Sequence, residues 1–322
     1  MSRYWTNLAD LYKEGLLTET AELTEVAKAF QIKISPTIQK QLEKVTANER
    51  EALIRQFIPS PLEANILPTE LDDPIGDRRF TPTPGVVHRY KDRALLKITQ
   101  LCEVYCRFCF RKEMIGQKGA TLSESELKAA IAYFQAHTEL WEVILTGGDP
   151  LILSARRLQI ALEALCTIPH IRNIRIHSRI PIISPEKITP ELLTLLENCI
   201  DQGKAITLVI HANHASEFSN EATIILKKLR KAGVLLLSQS VLLKSINDSI
   251  PALTALMRTF IINGIKPYYL HQMDLARGTS HFVVEEARAI ELVETLRQEI
   301  SGICIPRLIV EIPEGEGKRA LA

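Results

Sequence analysis

From residue 94 onward the 322-residue chain alternates short apolar runs with amphipathic stretches, and that beat limits the folds open to it. The runs are Ala94–Thr99, Glu142–Thr146, Asn173–His177, Ala205–His211, Val234–Gln239 and Lys266–His271. Each has the length and bounds of a buried strand. Between them, Ser123 with Glu126 makes a capping box for a helix to about Ala136, and Ser154 caps a helix reaching Cys166. Pro190–Asn198, Ser216–Ala232 and Pro251–Asn263 fill the later gaps, and Glu285–Ile300 follows the sixth strand. Six βα units imply parallel strands joined by right-handed crossovers. The fold class is α/β, as an open doubly wound sheet or as a barrel, complete or partial.

The sixty or so residues at the start read as helices: Thr6–Glu14, Glu22–Phe30, a helix from Ser35-Pro36 to about Val45, and Glu49–Phe57 capped by Asn48. Pro59, Pro61, Pro68, Asp72-Asp73-Pro74, Pro82 and Pro84-Gly85 then mark an irregular crossing segment. Formal net charge is +1, which gives no reason to expect a nucleic-acid groove or a membrane-surface patch. No signal-peptide core or membrane-length apolar run is present. Cys166, Cys199 and Cys304 stand alone in apolar surroundings and read as small buried hydrophobes. A reducing cytoplasm is expected.

Polar groups collect where the strands end: T-G-G-D-P after the second, H-S-R after the third, H-A-N-H after the fourth, S-Q-S after the fifth and H-Q-M-D after the sixth. Parallel α/β folds build their sites at those ends. The first strand runs into L-C-E-V-Y-C-R-F-C-F-R, with Cys102, Cys106 and Cys109 spaced C-x3-C-x2-C. Three thiolates this close can hold three corners of a four-iron, four-sulfur cluster and leave one iron open. The alternatives are three unrelated core cysteines or a zinc knuckle, for which His88 would be a distant fourth ligand. Gly147-Gly148-Asp149-Pro150 allows close backbone approach but is not a phosphate loop, because no G-K-[ST] follows. A last strand-like run, Arg307–Glu311, leads to P-E-G-E-G-K, which is either a flexible, solvated tail or a segment whose glycines give Lys318 room to hold pyridoxal phosphate (PLP).

The cysteine spacing, with Phe108 before the last cysteine, resembles the signature of the radical S-adenosylmethionine (SAM) enzymes. H-R-Y-K-D-R-A-L-L, C-R-F-C-F-R, G-G-D-P-L, R-I-H-S-R-I-P, H-A-N-H, Q-S-V-L-L, N-D and P-Y-Y-L-H, in that order, resemble the lysine 2,3-aminomutase family from about Asp73 to Lys318. R-I-H-S-R, Y-Y-L-H and an end four residues after Lys318 are most similar to the shorter branch that makes (R)-β-lysine for elongation factor P. The resemblance implies a partial (β/α)6 TIM-like radical SAM barrel over 73–322, preceded by a helical cap and linker over 1–72.

It also implies roles, position by position. Cys102, Cys106 and Cys109 would bind a [4Fe-4S] cluster. Lys318 would hold PLP, with Arg93 on its phosphate and Tyr90 beside it. Gly147, Gly148, Asp149 and Gln239 would line the SAM side. Arg111 would clamp the carboxylate of a substrate L-lysine, and Asp274 and Glu311 would receive its ε-ammonium. Longer members carry Asp where Glu311 stands, and they usually follow the lysine with Thr-Pro, which is absent here. They also continue into a cysteine-bearing, zinc-binding extension. The implied partners are a reductant protein as electron donor and, through the product, an elongation factor P ligase. The expected function is therefore conversion of L-lysine to β-lysine. Its rivals are a 2,3-aminomutase for another amino acid and a metal-cluster-binding protein without catalysis.

Overall fold

The computed structural model describes residues 3–116, 121–313 and 317–322. The six apolar runs form strands, and three more strands complete a nine-stranded sheet whose order follows the sequence. In chain order they are β1 (Val86–Tyr90), β2 (Arg93–Thr99), β3 (Glu142–Gly147), β4 (Asn173–Ser178), β5 (Ala205–His211), β6 (Leu235–Val241), β7 (Lys266–His271), β8 (Arg307–Ile312) and β9 (Gly317–Ala320). Strands β2 to β8 pair in parallel, while β1 and β9 pair antiparallel on the two edges. A doubly wound sheet reverses its strand order at a switch point. This order never reverses, so the sheet curls in one direction as a barrel wall.

The curl brings the edges together. Arg89 on β1 donates to Glu311 Oε1 at 2.8 Å and to the Ile312 carbonyl at 2.6 Å, and Tyr90 Oη accepts the Lys318 N–H at 2.9 Å. These side chains span the seam between β1 and β8–β9, so the barrel is nearly closed.

Helices α5 (Glu124–Ala136), α6 (Ala155–Cys166), α7 (Ile180–Ile183), α8 (Pro190–Asp201), α9 (Asn220–Lys231), α10 (Ile250–Ile262) and α11 (Glu286–Glu299) fill the crossovers. Every residue of β3 is buried, as expected of a strand covered on both faces. Ser123 with Glu126 and Ser154 cap their helices as expected. The helix expected from Ser216 begins later. A short turn at Ala215–Glu217 comes first, and Ser219 caps α9.

Before the barrel lie α1 (Leu8–Lys13), α2 (Ala21–Ala29), α3 (Pro36–Lys44) and α4 (Ala47–Phe57). The cap of α4 is Thr46, not Asn48: Glu49 reaches back to the Thr46 N–H at 2.9 Å and closes a capping box that Asn48 cannot make. Leu11, Ile34, Ile38, Leu42, Leu53 and Phe57 belong to the same apolar core as the strands. Among the described residues, no helix is long and apolar enough to cross a membrane.

Candidate active site

The cysteine loop leaves the end of β2 and is fixed from three sides. From the N-terminal helices, the Gln56 carbonyl accepts the Arg107 N–H at 2.8 Å, the Lys33 carbonyl accepts the Tyr105 N–H at 2.9 Å, and Lys33 Nζ donates to the Cys102 carbonyl at 2.9 Å. From the crossing segment, Glu63 takes both Arg107 (Nη2–Oε2 2.6 Å) and Lys112 (2.8 Å), in a triad whose side chains are all nearly fully buried. Burial pushes the Glu63 carboxyl up, but the two cations outweigh it and hold the group below the usual carboxylate range.

From β3, the Gly148 N–H meets the Thr99 carbonyl at 2.6 Å and the Asp149 N–H meets the Leu101 carbonyl at 2.8 Å. A Cβ on Gly148 would collide with the Leu101 carbonyl, and Gly147 sits at φ +113° against the Thr99 carbonyl. The paired glycines therefore bring β3 against the root of the cysteine loop.

Cys102, Cys106 and Cys109 line one cavity of about 150 Å³ at the C-terminal ends of the strands. Burial raises all three thiols, Cys109 to about 11, and the neighbouring sulfurs add to the rise on Cys102 and Cys109. Arg179, at the end of β4, donates to Cys106 Sγ at 2.8 Å, to Gln56 Oε1 at 2.7 Å and to Glu217 Oε2 at 2.6 Å. Further round the wall stand Gly147, Gly148, Asp149, His177, His211, Gln239, His271 and Asp274.

The carboxylate of Asp149 accepts from Ser178 Oγ at 2.7 Å and from the N–H groups of Leu151, Arg179 and Ile180. It knits β3 to β4, and despite these donors burial lifts its pKa to about 6. His177, His211 and His271 are held neutral by burial first and by nearby cations second, His271 at about 3. His177 Nε2 and His271 Nε2 have no hydrogen-bond partner. His214 lies apart from this wall: its Nδ1 meets Ser216 Oγ at 2.7 Å and caps a turn.

The expected substrate residues carry different loads. Arg111 pairs with Asp77 at 2.8 Å, and Lys97 approaches the same carboxylate at 3.4 Å. Glu311 is held between Arg89 at 2.8 Å and Lys318 Nζ at 2.5 Å. Asp274 lines the cavity, and burial first and the Glu311 charge second raise its pKa to about 7, against the pull of Lys318 and Arg111. Tyr90 joins the cofactor residues: its hydroxyl receives the Lys318 N–H, and the Arg93 guanidinium lies 4.0 Å from its ring centroid. Arg93 also donates to Asp92 at 3.3 Å. Glu314, Gly315 and Glu316 of the glycine-rich segment lie outside the described residues.

A family model described as the radical SAM superfamily matches residues 96–254. The L-lysine 2,3-aminomutase of Clostridium subterminale is 35% identical over 311 residues, which cover 96% of this chain and 73% of that protein. The chain belongs to the lysine 2,3-aminomutase family. The Escherichia coli (strain K12) member is 36% identical over 285 residues, 88% of this chain and 81% of its own length. The Acetoanaerobium sticklandii member is 36% identical over 271 residues, and the match covers 64% of that protein and 84% of this chain. Among solved structures, Streptococcus suis SuiB bound to S-adenosylmethionine superposes with a TM-score of 0.51 at 16% identity, over 70% of this chain and 52% of that one. That likeness shows the barrel fold.

As a lysine 2,3-aminomutase family member the chain is an isomerase, and its cofactors are a [4Fe-4S] cluster, SAM and PLP. The side chains fit them. Three half-buried thiols that line one cavity suit a cluster whose binding releases their protons. Two unpartnered imidazole nitrogens in the cavity wall suit a polar ligand. Lys318 and Arg93 both meet Tyr90, which places the three residues side by side. The sequence reading missed Glu63, Asp77, Arg89, Arg107 and Arg179. Two of these carried a signal, Arg107 inside the cysteine motif and Arg179 at the end of the H-S-R that closes the third strand.

Proposed function

We propose that the chain isomerises L-lysine to β-lysine, moving the amino group from C2 to C3. The observation that carries this reading is the place of Asp274, a half-buried carboxylate in the cavity wall, where burial and the Glu311 charge raise its pKa to about 7. Such a group gains most from a substrate that brings its own cation, and a lysine side chain ends in one. Arg111, within reach of the same carboxylate's field, supports binding of the substrate's α-carboxylate, for which it would exchange Asp77. Glu311 Oε2 lies against Lys318 Nζ and can take the proton that the amine loses before it bonds to PLP. It becomes a second neighbour for the ε-ammonium once Lys318 swings away.

When bound, the cluster, SAM and PLP supply a hydrogen-abstracting radical and a carbonyl carbon that carries the migrating nitrogen. Cys102, Cys106 and Cys109 would hold the cluster, and Gly147, Gly148, Asp149 and Gln239 would line the SAM side. Lys318, Arg93 and Tyr90 would hold PLP. The neutral imidazoles of His177, His211 and His271 add no further positive charge to the wall near Asp274. The near-closed barrel keeps solvent from the reacting carbons.

The finer reading is that β-lysine serves modification of elongation factor P through a separate ligase, with a reductant protein supplying electrons, in the cytoplasm. R-I-H-S-R and Y-Y-L-H support that branch, and six free cysteines suit a reducing compartment. Anaerobically reconstituted protein, given SAM, PLP and dithionite with lysine, arginine, ornithine and glutamate in competition, should yield the β-isomer of lysine before any other. A β-isomer of another amino acid in its place would overturn the substrate assignment.

A further inference from the structure

A further group of polar side chains lies away from the cavity. His88 is in the middle of β1, His137 caps the C-terminus of α5, and Glu139 follows in the connection to β3. One ligand atom from each lies within 4.8 Å of the other two, and none of the three lines the active-site cavity.

The two rings are held in place by one residue. The Tyr133 hydroxyl meets His88 Nδ1 at 2.8 Å, and the Tyr133 carbonyl oxygen meets His137 Nδ1 at 2.7 Å. The Tyr133 ring stacks on His137 with centroids 3.8 Å apart, and the two imidazoles cross at 86°. A carbonyl oxygen only accepts, so His137 carries its proton on Nδ1 and presents the Nε2 lone pair. With the phenol accepting in the same way, His88 also presents Nε2. Histidines that ligate metals are held in this manner, with the second ring nitrogen donating to an oxygen that fixes tautomer and orientation.

We propose that His88, His137 and Glu139 form a zinc-binding site, oriented by Tyr133 and separate from the cluster cysteines. Two imidazole nitrogens and one carboxylate oxygen match the donors that zinc prefers, and water would complete a tetrahedron. Glu139 is exposed, so the ion can enter from solvent. Bound there, it ties β1 to the connection between α5 and β3. The next residues on β1 are Arg89 and Tyr90, which reach Glu311 and Lys318, so the ion would brace the edge strand that faces the lysine. The proposal does not depend on which amino acid is the substrate.

The test titrates zinc into cluster-loaded full-length protein, whose motif cysteines are then taken, and follows binding by calorimetry. A single zinc per chain is expected. Glu139→Gln, an exposed change that leaves the fold alone, and His137→Ala should each weaken binding by about tenfold or more, and Tyr133→Phe by about tenfold. Zinc-edge X-ray absorption should report nitrogen and oxygen neighbours only. Absence of binding, an affinity unchanged in both His137→Ala and Glu139→Gln, or sulfur in the zinc shell would overturn the site.

Discussion

The two ends of the active site are built differently. At the cluster end, the cysteine loop is gripped by the N-terminal helices, by the buried Glu63–Arg107–Lys112 triad and by the glycine pair of β3. At the lysine end, Lys318 rides on a four-residue edge strand, with its side chain 33% exposed and with the Glu311 carboxylate and Tyr90 hydroxyl for company. The first end is fixed before any cofactor arrives. The second is light enough for its lysine to let go of one partner and take another. The proposed reaction, in which a cluster is held still while Lys318 exchanges its bond, needs that asymmetry.

The largest expected effect tests the rigid end. Glu63→Gln leaves Arg107 and Lys112 buried without a counter-charge, and removing one partner of a buried pair costs about 3–5 kcal/mol. Denaturant unfolding of the cluster-free chain measures it, and a loss under about 1 kcal/mol would mean that the triad does not hold the loop.

Next comes Gly148→Ala. Its methyl group must push the Leu101 carbonyl aside, so a loss of about 1–3 kcal/mol is expected together with lower iron retention after desalting. Normal iron content with unchanged stability would show that the loop tolerates the shift.

Asp274 sharpens the comparison from the substrate side. With its folded pKa raised to about 7, the ionised form that receives an ammonium is depleted as pH falls through 7. Lysine kcat/KM should therefore drop about tenfold per pH unit below that point, and Asp274→Asn should remove this limb along with most of the activity. The sign for stability is opposite. A carboxyl with a raised folded pKa favours folding in its protonated state, so its contribution is lost as pH rises from about 4 through 7. Asp274→Asn should flatten that slope in the ligand-free protein, as thermal unfolding across pH would show.

The smallest effect on stability belongs to Lys318→Ala. Its ion pair is partly solvated and at a sheet edge, so the fold should lose about 1 kcal/mol or less, while PLP retention, read from absorbance after gel filtration, should vanish. A large loss of stability would erase the contrast between the two ends.

The barrel was legible because its six central strands are short runs rich in apolar residues, spaced regularly between amphipathic helices. The edges were not legible. V-V-H-R-Y and G-K-R-A carry little continuous apolar signal, and they become strands only by pairing with β2 and β8. The cysteines and the glycine pair stood out by local spacing, whereas Lys318 stood out only through the family resemblance. The residues that hold them could not be found by spacing, since Arg89 meets Glu311 across 222 positions and Arg107 meets Glu63 across 44. Spacing also misled in one respect. The glycines of G-G-D-P line the cavity, and they also pack on the backbone of the cysteine loop, a second load that spacing does not show. At α4 the sequence reading took Asn48 as the cap, and Glu49 decides for Thr46 by reaching its N–H.

The most direct test of the central claim follows the hydrogen. Reconstituted protein with SAM, PLP and dithionite is given L-lysine carrying deuterium at C3, under strict exclusion of oxygen. The account predicts β-lysine that forms only when SAM is present, with deuterium recovered in 5'-deoxyadenosine. Unlabelled 5'-deoxyadenosine accumulating beside unchanged lysine would contradict it.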